Sequence, residues 1–347
     1  MKNGTKIAII VISVLLIAVL LYFAVLAFPL RGKANNELWL STQKYTDDYA
    51  VSIEKSPNKD FKILVLSDIQ LSDLLDSFGQ SKMTYDTIEK LITGQKPDLI
   101  VLTGDTVWLP FTKFSTLDIV KFLDSFKIPW APINGNHDPE GTTNINWICD
   151  QYVNSEYCIF KKGPSNIGGI GNYIINIKEN DKTIQTLFML DSHSMRQYED
   201  KKGYDFIYES QMSWYKWAVN GIKELNQNQI VPSMVFQHIP LPEYKTAYEM
   251  WEKSGFDEKI GFGKKNEGEC CPPVNSGFFN VLKDMESTKY VFSGHDHVNS
   301  YSVLYDGIRL SYGLKTGDRC YNDDTLNGGT LITIGDKINI EHIFCVD

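Results

Sequence analysis

The sequence predicts an α/β protein with a largely parallel sheet that helices cover on both faces. In the first half of the chain, short apolar runs alternate with helical patterns, which is typical of parallel strands joined by helices. Each run is followed by polar residues, and ligand sites in such sheets lie beyond the carboxyl ends of the strands. The composition over 347 residues, 43% hydrophobic and 22% charged, is that of an ordinary globular protein.

The chain begins with an apolar segment, residues 7–28, in which Ser13 and Tyr22 carry the only polar groups. As a helix, about 22 residues cross the hydrocarbon core of a bilayer, and the run is longer than the apolar part of most cleaved signal peptides. We therefore expect residues 1–30 to be a transmembrane signal anchor. The main domain would then be lumenal or extracellular, in the secretory pathway or at the cell surface. Cleavage of the segment is the alternative and would give a secreted protein; the basic residues on both sides leave the orientation open.

Residues 31–60 are polar with little periodicity, and they predict a linker that leads to one main domain, residues 61–347. The net charge of -9 argues against nucleic acid as a partner, because the chain has no basic field to attract it. Phosphate chemistry would need a strong local positive centre, such as bound metal. The six cysteines behind a secretory-type segment predict disulfides, whose pairing the sequence does not determine.

In the first half of the main domain, we expect strands at 61–66, 98–103 and 130–134, separated by helices at 84–95 and 117–126. A single polar residue after a strand is ordinarily a turn or cap residue. Three consecutive strands that end in this way favour a shared site. The polar residues concerned are Asp68, Gln70, Asp105, Asn136, His137 and Asp138.

The second half repeats this arrangement, with expected strands at 183–190, 233–237 and 290–293 and a helix at 209–225. After residue 300, alternating runs with Asp-Gly and Gly-Gly turns predict an antiparallel meander. His193 fits the rim of a site or a structural role equally well, and His342 is most simply structural. The polar residues at the ends of the last two strands are His238, His295, Asp296 and His297.

The imidazole, carboxylate and amide groups at these strand ends have the composition of a metal-ligand set. Mixed nitrogen and oxygen donors suit Zn, Fe, Mn or Co better than calcium, which prefers an all-oxygen cage. The sequence therefore predicts a transition-metal site at the shared edge of the strands.

Five short motifs make this prediction specific. Asp68-Ile-Gln70, Gly104-Asp105, Gly135-Asn-His-Asp138, His238 and Gly294-His-Asp-His297 resemble, in order, the motifs of calcineurin-like metallophosphoesterases. The family pattern reads D-x-H, GD, GNH followed by Asp or Glu, H, and GHxH. The neighbouring sequence is similar to a purple-acid-phosphatase-related subgroup. The resemblance implies a four-layer αββα fold, a double β-sandwich flanked by helices.

The resemblance also implies two divalent or trivalent metal ions, Mn, Fe or Zn, bridged by Asp105. Two dications and two carboxylates would leave the centre with a charge of about +2, which outweighs the distant, screened charge of the chain at contact distance. Position one would comprise Asp68, Gln70 and His297, and position two would comprise Asn136, His238 and His295.

In this family His137 would be the catalytic residue that protonates the leaving oxygen or stabilises the transition state. Asp138 or Asp296 would orient its ring. The implied reaction is hydrolysis of a phosphoric ester by a metal-bridging hydroxide, with a phosphorylated protein or small molecule as substrate. We expect a phosphomonoesterase. The alternatives are a phosphodiesterase acting on nucleotides or lipid head groups, and a non-catalytic scaffold that kept the fold.

Two departures from the family pattern matter. Gln70 replaces the usual histidine, and its amide oxygen is a weaker donor, so we expect weaker binding at position one and a preference for Mn, Fe or Mg over Zn. The tyrosine that colours true purple enzymes is missing after Gly104-Asp105, so the iron–tyrosinate colour should be absent. Trp108 stands where protein phosphatases of the superfamily have an Asp that orients the catalytic histidine.

Overall fold

The computed structural model describes residues 3–76, 79 and 81–345, which fold into two large sheets, a short hairpin and flanking helices. The helices are α1 (Asn3–Leu26), α2 (Asp73–Asp76), α3 (Lys82–Gln95), α4 (Lys113–Ser125), α5 (Ile145–Val153), α6 (Glu209–Leu225), α7 (Glu243–Lys253) and α8 (Phe278–Met285). The strands are β1 (Ala50–Glu54), β2 (Phe61–Leu66), β3 (Leu99–Thr103), β4 (Trp130–Ile133), β5 (Tyr173–Glu179), β6 (Lys182–Met189), β7 (Met195–Gln197), β8 (Lys202–Tyr204), β9 (Ser233–Phe236), β10 (Gly261–Phe262), β11 (Thr288–Ser293), β12 (Ser302–Tyr305), β13 (Ile308–Tyr312), β14 (Gly328–Ile334) and β15 (Ile338–Phe344).

The two large sheets are mixed. The five-stranded sheet has the order β15-β14-β2-β3-β4, in which β2, β3 and β4 are parallel. The eight-stranded sheet has the order β1-β5-β6-β9-β11-β13-β12-β10, in which β6, β9, β11 and β13 are parallel. The predicted single parallel sheet is therefore two sheets with parallel centres, and the predicted meander is divided between them, because β12 and β13 join one sheet and β14 and β15 join the other.

The sheets pack face to face, and helices cover their outer faces. Alternate residues of one strand point to opposite faces, so neighbours in β9 enter different cores. Phe236 lies in the core between the sheets together with Ile63 and Val101 of the other sheet, whereas Val235 packs with Trp214 of α6. The resulting order of layers is helices, five-stranded sheet, eight-stranded sheet, helices. This confirms the four-layer αββα fold.

The apolar segment forms α1, whose side chains are almost all exposed. Residues Gly4–Leu26 make a helix long and apolar enough to cross a membrane, by length and composition, with a mean hydropathy of 3.2. Leu26 is buried, and its carbonyl accepts a hydrogen bond from Thr142 Oγ1 at 3.1 Å. Residues 1 and 2 of the predicted anchor lie outside the described residues. The helix could be a signal anchor or a signal peptide.

The predicted linker at 31–60 is part of the folded domain. β1 pairs in parallel with β5 at one end of the eight-stranded sheet. Trp39 and Tyr45 are buried, and both rings contact Trp217 of α6. The sequence of this segment predicts a linker because its apolar residues are sparse. In the structure, a few aromatic side chains are enough to attach it to the surface of α6.

The predicted disulfides are not seen in the part of the chain that the structure describes. Cysteines 149, 158, 270, 271 and 320 form none there. Cys149 is instead buried in the core between the sheets, where a thiol behaves as a small hydrophobic group.

The parallel centres of both sheets end at one shared edge. Loops after β2, β3 and β4 meet the loops after β9, β11 and β13 there, as backbone contacts show. Gln70 N donates to Asp105 O at 2.9 Å, and Thr316 N donates to Ser67 O at 2.7 Å. Gly294 N donates to His238 O at 3.1 Å. The functional groups predicted from strand ends in two sheets therefore lie side by side.

Candidate metal centre

The loops at the shared edge hold several residues in a strained backbone conformation. Asp68, Gln70, Asp105 and His295 have φ values of 51°, 54°, 49° and 77°. Non-glycine residues rarely adopt this left-handed region, and strained conformations of this kind cost about 1–3 kcal/mol each. The packed strands that flank each loop stabilise these conformations, which cluster where the sequence predicts the site.

At position two, atoms with lone pairs converge on the ring of His238. Its Nδ1 lies 2.8 Å from the carbonyl oxygen of Thr103, which can only accept, so Nδ1 carries a proton and donates. Its Nε2 lies 2.9 Å from Asn136 Oδ1, 3.3 Å from Asp105 Oδ2 and 3.2 Å from His295 Nδ1. A neutral His238 would place its own lone pair against the oxygen atoms of Asn136 and Asp105. The arrangement needs a cation, either a proton or a metal ion.

Two buried atoms at position two lack a hydrogen-bond partner. They are Asp105 Oδ2 and His295 Nε2. The 3.3 Å approach of His238 Nε2 to Asp105 Oδ2 is a charge contact without hydrogen-bond geometry. Orphaned buried polar atoms often mark a missing ion or water, and these two belong to the group Asp105, His238 and His295, whose ligand atoms lie within 4.8 Å of one another. Together with the converging lone pairs, they show that this donor set fits a metal ion.

The electrostatics of position two agree with this conclusion. Burial lowers the pKa of His238, but the Asp105 carboxylate outweighs this effect and raises it to about 10. Burial and the neighbouring His238 lower the pKa of His295 to about 3, so its ring stays neutral and keeps a lone pair. The carboxylate of Asp105, although buried, keeps a lowered pKa because of His238 and His137. The protein therefore supplies a buried anion and one neutral imidazole, and His238 holds a proton that a bound metal ion would displace.

At position one the predicted ligands also come together, but a lysine joins them. Ligand atoms of Asp68, Asp105 and His297 lie within 4.8 Å of one another. The Gln70 Oε1 atom, which the sequence predicted to bind metal, accepts a hydrogen bond from Lys315 Nζ at 2.6 Å. The other end of this amide, Nε2, lies 3.2 Å from His297 Nε2.

Lys315 is the most unexpected residue of the centre. It follows β13, is only 2% exposed and donates a second hydrogen bond to Asp68 O at 3.1 Å. Burial lowers the pKa of its ammonium, and the Asp68 carboxylate is the main group that opposes this effect. The sequence analysis missed it because no family motif includes it. Its place just beyond a strand end was the signal that could have found it.

His137 reaches the centre from the solvent side. Its Nε2 lies 3.9 Å from Asp105 Oδ2, and its backbone N–H donates to Asp105 Oδ1 at 2.8 Å. Its Nδ1 lies 2.5 Å from Glu140 Oε2. Glu140 thus orients the ring, a role that the sequence analysis gave to Asp138 or Asp296. The three-residue spacing between His137 and Glu140 within one turn was a usable signal.

Asp138 and Asp296 do not contact the His137 ring; they hold loops. Asp138 accepts hydrogen bonds from the backbone N–H groups of Gly135, Asp105 and Val107, at 2.7, 3.1 and 3.1 Å. Burial and the nearby Asp105 raise its pKa to about 7.

Asp296 accepts hydrogen bonds from the Tyr312 hydroxyl and the Cys270 N–H. Burial raises its pKa to about 6. Like Asp138, it shapes the loop that presents its histidine neighbours and leaves the orientation of His137 to another residue.

Two further side chains define the surroundings. Tyr204, at the end of the hairpin β7–β8, packs its ring edge-on against His295 with 4.3 Å between centroids. His193 is structural: its Nε2 lies 2.9 Å from Gln211 Oε1 and its ring stacks on Tyr208. The hairpin therefore covers position two, while His193 supports the loop beside it.

Comparison with known proteins agrees with the fold and the motifs. The model of the calcineurin-like phosphoesterase family matches residues 61–299. The chain is 32% identical over 301 residues to "Probable inactive purple acid phosphatase 29" of Arabidopsis thaliana, covering 77% of this chain and 74% of that protein. It is 31% identical over 319 residues to "Phosphatase DCR2" of Saccharomyces cerevisiae, covering 82% of this chain and 54% of that protein.

A solved structure supports the fold independently of sequence. A dimetal phosphatase from Danio rerio superposes with a TM-score of 0.50 at 10% identity, covering 81% of this chain and 95% of that chain. The matched residues include all five motifs and the parallel strands β2, β3, β4, β6, β9 and β11. This chain belongs to the calcineurin-like phosphoesterase family.

Proposed function

We propose that the protein is a metal-dependent phosphomonoesterase that acts on a phosphoprotein or a small phosphoester. The observation that carries this proposal is the convergence of unsatisfied donor atoms at position two, directly beside the solvent-facing ring of His137. A buried cation site next to a partly exposed proton donor is the arrangement that hydrolysis of a phosphate ester needs. The name of the yeast relative, a phosphatase, favours this reaction class.

Position two would hold its ion through Asp105, Asn136, His238 and His295. Such an ion would lower the pKa of a bound water and neutralise charge on the phosphoryl oxygens. Mixed nitrogen and oxygen donors support Mn, Fe or Zn. The sequence predicts a second ion at position one, held by Asp68, Gln70 and His297 and shared with Asp105, and ligand atoms of Asp68, Asp105 and His297 lie within 4.8 Å of one another.

His137 would act on the leaving group. Its ring is about a quarter exposed, with 28% of the side chain accessible, so a substrate can reach it while Asp105 lies behind it. Glu140 holds Nδ1, which leaves Nε2 directed toward the centre. When both ring nitrogens carry a proton, Nδ1–H donates to Glu140 and Nε2 can give its proton to the departing ester oxygen, a role worth about 10²–10⁴-fold in rate.

A non-catalytic scaffold is the second candidate, and a specific observation favours it. Lys315 takes the amide oxygen that a second metal ion would need. The Arabidopsis relative also carries the word "inactive" in its name. Measured hydrolysis is what separates the two candidates.

The test is a metal-reconstitution assay on the purified protein. After chelation, Mn, Fe or Zn is restored and hydrolysis of p-nitrophenyl phosphate is compared with that of its bis ester. We expect monoester hydrolysis that depends on added metal, and a loss of about 10²–10⁴-fold in His137→Ala with unchanged metal content. His342→Gln, a change of a histidine in β15, is the matched control and should keep full activity.

Each outcome of this assay favours a different candidate function. Faster hydrolysis of the bis ester would assign a phosphodiesterase. An absence of hydrolysis with every metal, in a protein that binds the metal, would assign the scaffold.

We also infer that α1 attaches the protein to a membrane, with the catalytic domain on the lumenal or extracellular side. The support is the length and exposure of its apolar surface. The full chain should remain with membranes after a carbonate wash, and residues 31–347 should not. Release of the full chain by the wash, or removal of residues 1–30 in the mature protein, would contradict an anchor.

A further inference from the structure

The side chains at position one satisfy one another without an added ion. Lys315 Nζ donates to Gln70 Oε1 at 2.6 Å, and an ammonium can only donate, so the orientation of the amide is determined. The amide therefore turns its Nε2 toward His297 Nε2, at 3.2 Å. His297 Nδ1 in turn donates to the carbonyl oxygen of Tyr321 at 2.9 Å. Hydrogen bonds therefore run from Lys315 to Gln70, from Gln70 to His297 and from His297 to Tyr321.

This sequence of hydrogen bonds also removes a metal ligand from position one. An amide nitrogen has two N–H donors and no lone pair for a metal ion. Gln70 consequently presents a donor where the family presents an imidazole lone pair. In the neutral ring, Nδ1 donates to the carbonyl oxygen of Tyr321 and Nε2 accepts from Gln70 Nε2, so the protein already uses the lone pair that a metal ion would need.

Lys315 is held in place by its backbone. It forms a bridge with Ser67, and the next residue, Thr316, donates from its N–H to Ser67 O at 2.7 Å. Gly317 N also approaches Asp68 O, at 3.3 Å. These contacts attach the lysine loop directly to the loop of position one. The ammonium is thus a fixed part of the centre rather than a surface charge that happens to point inward.

A buried ammonium is costly unless nearby anions compensate it. Asp68 and Asp105 are the carboxylates that a second metal ion would neutralise. Lys315 supplies one of those positive charges permanently. With one dication at position two, the centre would carry a charge of about +1, compared with about +2 for two dications.

We propose that Lys315 and Gln70 replace the metal ion of position one, so that the centre takes a single ion, at position two. The inference rests on the metal centre of the proposed function and deepens it. It concerns how many ions are bound, which can be measured without any turnover. It also gives Gln70 a different role from the one expected from the sequence, because Gln70 becomes a partner of the lysine instead of a metal ligand.

The experiment counts metal ions per chain. The chelated protein is reconstituted with excess Mn²⁺, desalted and measured by inductively coupled plasma mass spectrometry, and the electron paramagnetic resonance spectrum is examined for coupling between two Mn²⁺ ions. We expect one ion and no coupling in the wild type. The double variant Gln70→His with Lys315→Met should take up a second ion and show coupling, because it restores the imidazole and removes the ammonium.

The matched control is Gln70→His with Lys289→Met, which changes an exposed lysine in β11 and leaves Lys315 in place. It should bind one ion, or a second ion far more weakly than the first double variant. Two coupled ions in the wild type would overturn the inference, and so would a single ion in the Lys315→Met double variant. If that variant does not fold, anomalous scattering from crystals of the wild type grown with Mn²⁺ counts the ions without any substitution.

These outcomes are independent of the proposed reaction. Two ions together with metal-dependent hydrolysis would remove this inference and keep the phosphomonoesterase. One ion without hydrolysis would keep this inference and favour the scaffold.

Discussion

The two halves of the centre share Asp105 and the same edge of the sheets, yet their polar groups are satisfied in opposite ways. At position one, a donor-only ammonium aligns the Gln70 amide, and the protein completes its own hydrogen bonds. At position two, the acceptors around His238 face one another, and Asp105 Oδ2 has no hydrogen-bond partner. One half completes its hydrogen bonds through Lys315, and the other needs either a proton on His238 or a metal ion in its place.

This difference shows that a motif match and a ligand set are separate properties. Both positions carry family motifs, and both place their side chains correctly at strand ends. What distinguishes them is a single residue from another strand, Lys315, which lies outside every motif. Whether a side chain binds metal depends on whether a neighbouring group already holds its donor atom in a hydrogen bond. A short motif does not contain that information.

The difference in metal binding between the two halves is tested most directly by replacing one histidine in each half. His238→Ala should abolish metal binding and lower kcat roughly a thousand-fold or more, because a metal ion supplies several kcal/mol of transition-state stabilisation and about 1.4 kcal/mol is tenfold. His297→Ala should keep the metal and lower kcat about tenfold or less. Metal analysis and kinetics on the two purified variants measure both. Equal loss of metal in the two variants would show that the halves are equivalent after all.

Two glycines allow the same comparison through the backbone. A Cβ on Gly135 would lie 2.2 Å from Asp105 N and Oδ1, under position two, and one on Gly317 would lie 2.1 Å from Ile69 O, under position one. Each alanine variant should lose about 1–3 kcal/mol of unfolding free energy through overpacking. Only Gly135→Ala should also weaken metal binding, by about 10–100-fold.

Gly94→Ala is the control for this pair. Gly94 lies in α3, and a methyl group added there would meet no neighbouring group within 4 Å, so its alanine variant should be slightly more stable and bind metal normally. Calorimetry and metal titration of the three variants measure both effects. A loss of metal affinity in Gly317→Ala equal to that in Gly135→Ala would contradict the comparison.

Several helices and strands could be predicted because their patterns are local. The strand at 61–66 and the helix at 209–225 were expected with the bounds that the structure has, since apolar periodicity and turn residues mark them clearly. The separation into two sheets could not be read locally. β14 pairs with β2, more than 250 residues earlier in the chain, and such long-range pairing leaves no signal in either strand alone.

The candidate site divides in the same way. The residues at strand ends were predicted, and the structure brings them together; their roles remain proposals. Lys315 and Glu140 were missed, because each acts through a neighbour and neither belongs to a motif. Asp138 was assigned to the His137 ring from proximity in sequence, but three backbone N–H groups take its carboxylate.

Hydrogen bonds through His342 connect the five-stranded sheet to the segment beside position one. Its Nε2 donates to Ser300 O at 2.7 Å, and its Nδ1 accepts from Thr330 Oγ1 at 2.9 Å. Thr330 Oγ1 accepts in turn from Leu314 N, next to Lys315, at 3.1 Å. A proton on Nδ1 would break this sequence of hydrogen bonds beside the lysine and leave position two untouched.

The pH dependence follows from burial, which lowers the pKa of His342 from 6.5 to about 4. Because the unfolded chain takes up this proton at a higher pH than the folded chain, the stabilisation is complete above pH 6.5 and is lost as the pH falls toward 4. Between pH 6.5 and pH 5 the wild type should lose about 2 kcal/mol of unfolding free energy through this residue. His342→Gln should lose correspondingly less over this range. Urea unfolding of both proteins at the two pH values measures the difference, and parallel pH curves would contradict it.

Glu140 belongs to neither half, and its effect should be the smallest. It acts only through His137, whose backbone N–H is already fixed by Asp105 Oδ1 at 2.8 Å, so the carboxylate sets the rotation of the ring and little else. Glu140→Ala should lower kcat about tenfold, with KM and metal content unchanged, and Glu140→Gln, which keeps an oxygen acceptor at the same reach, should restore most of the rate. A purely structural role would instead lower the metal content or the thermal midpoint. An unchanged kcat in Glu140→Ala would mean that the Asp105 contact alone positions the ring, and the Asp105 carboxylate would then control both metal binding and proton transfer.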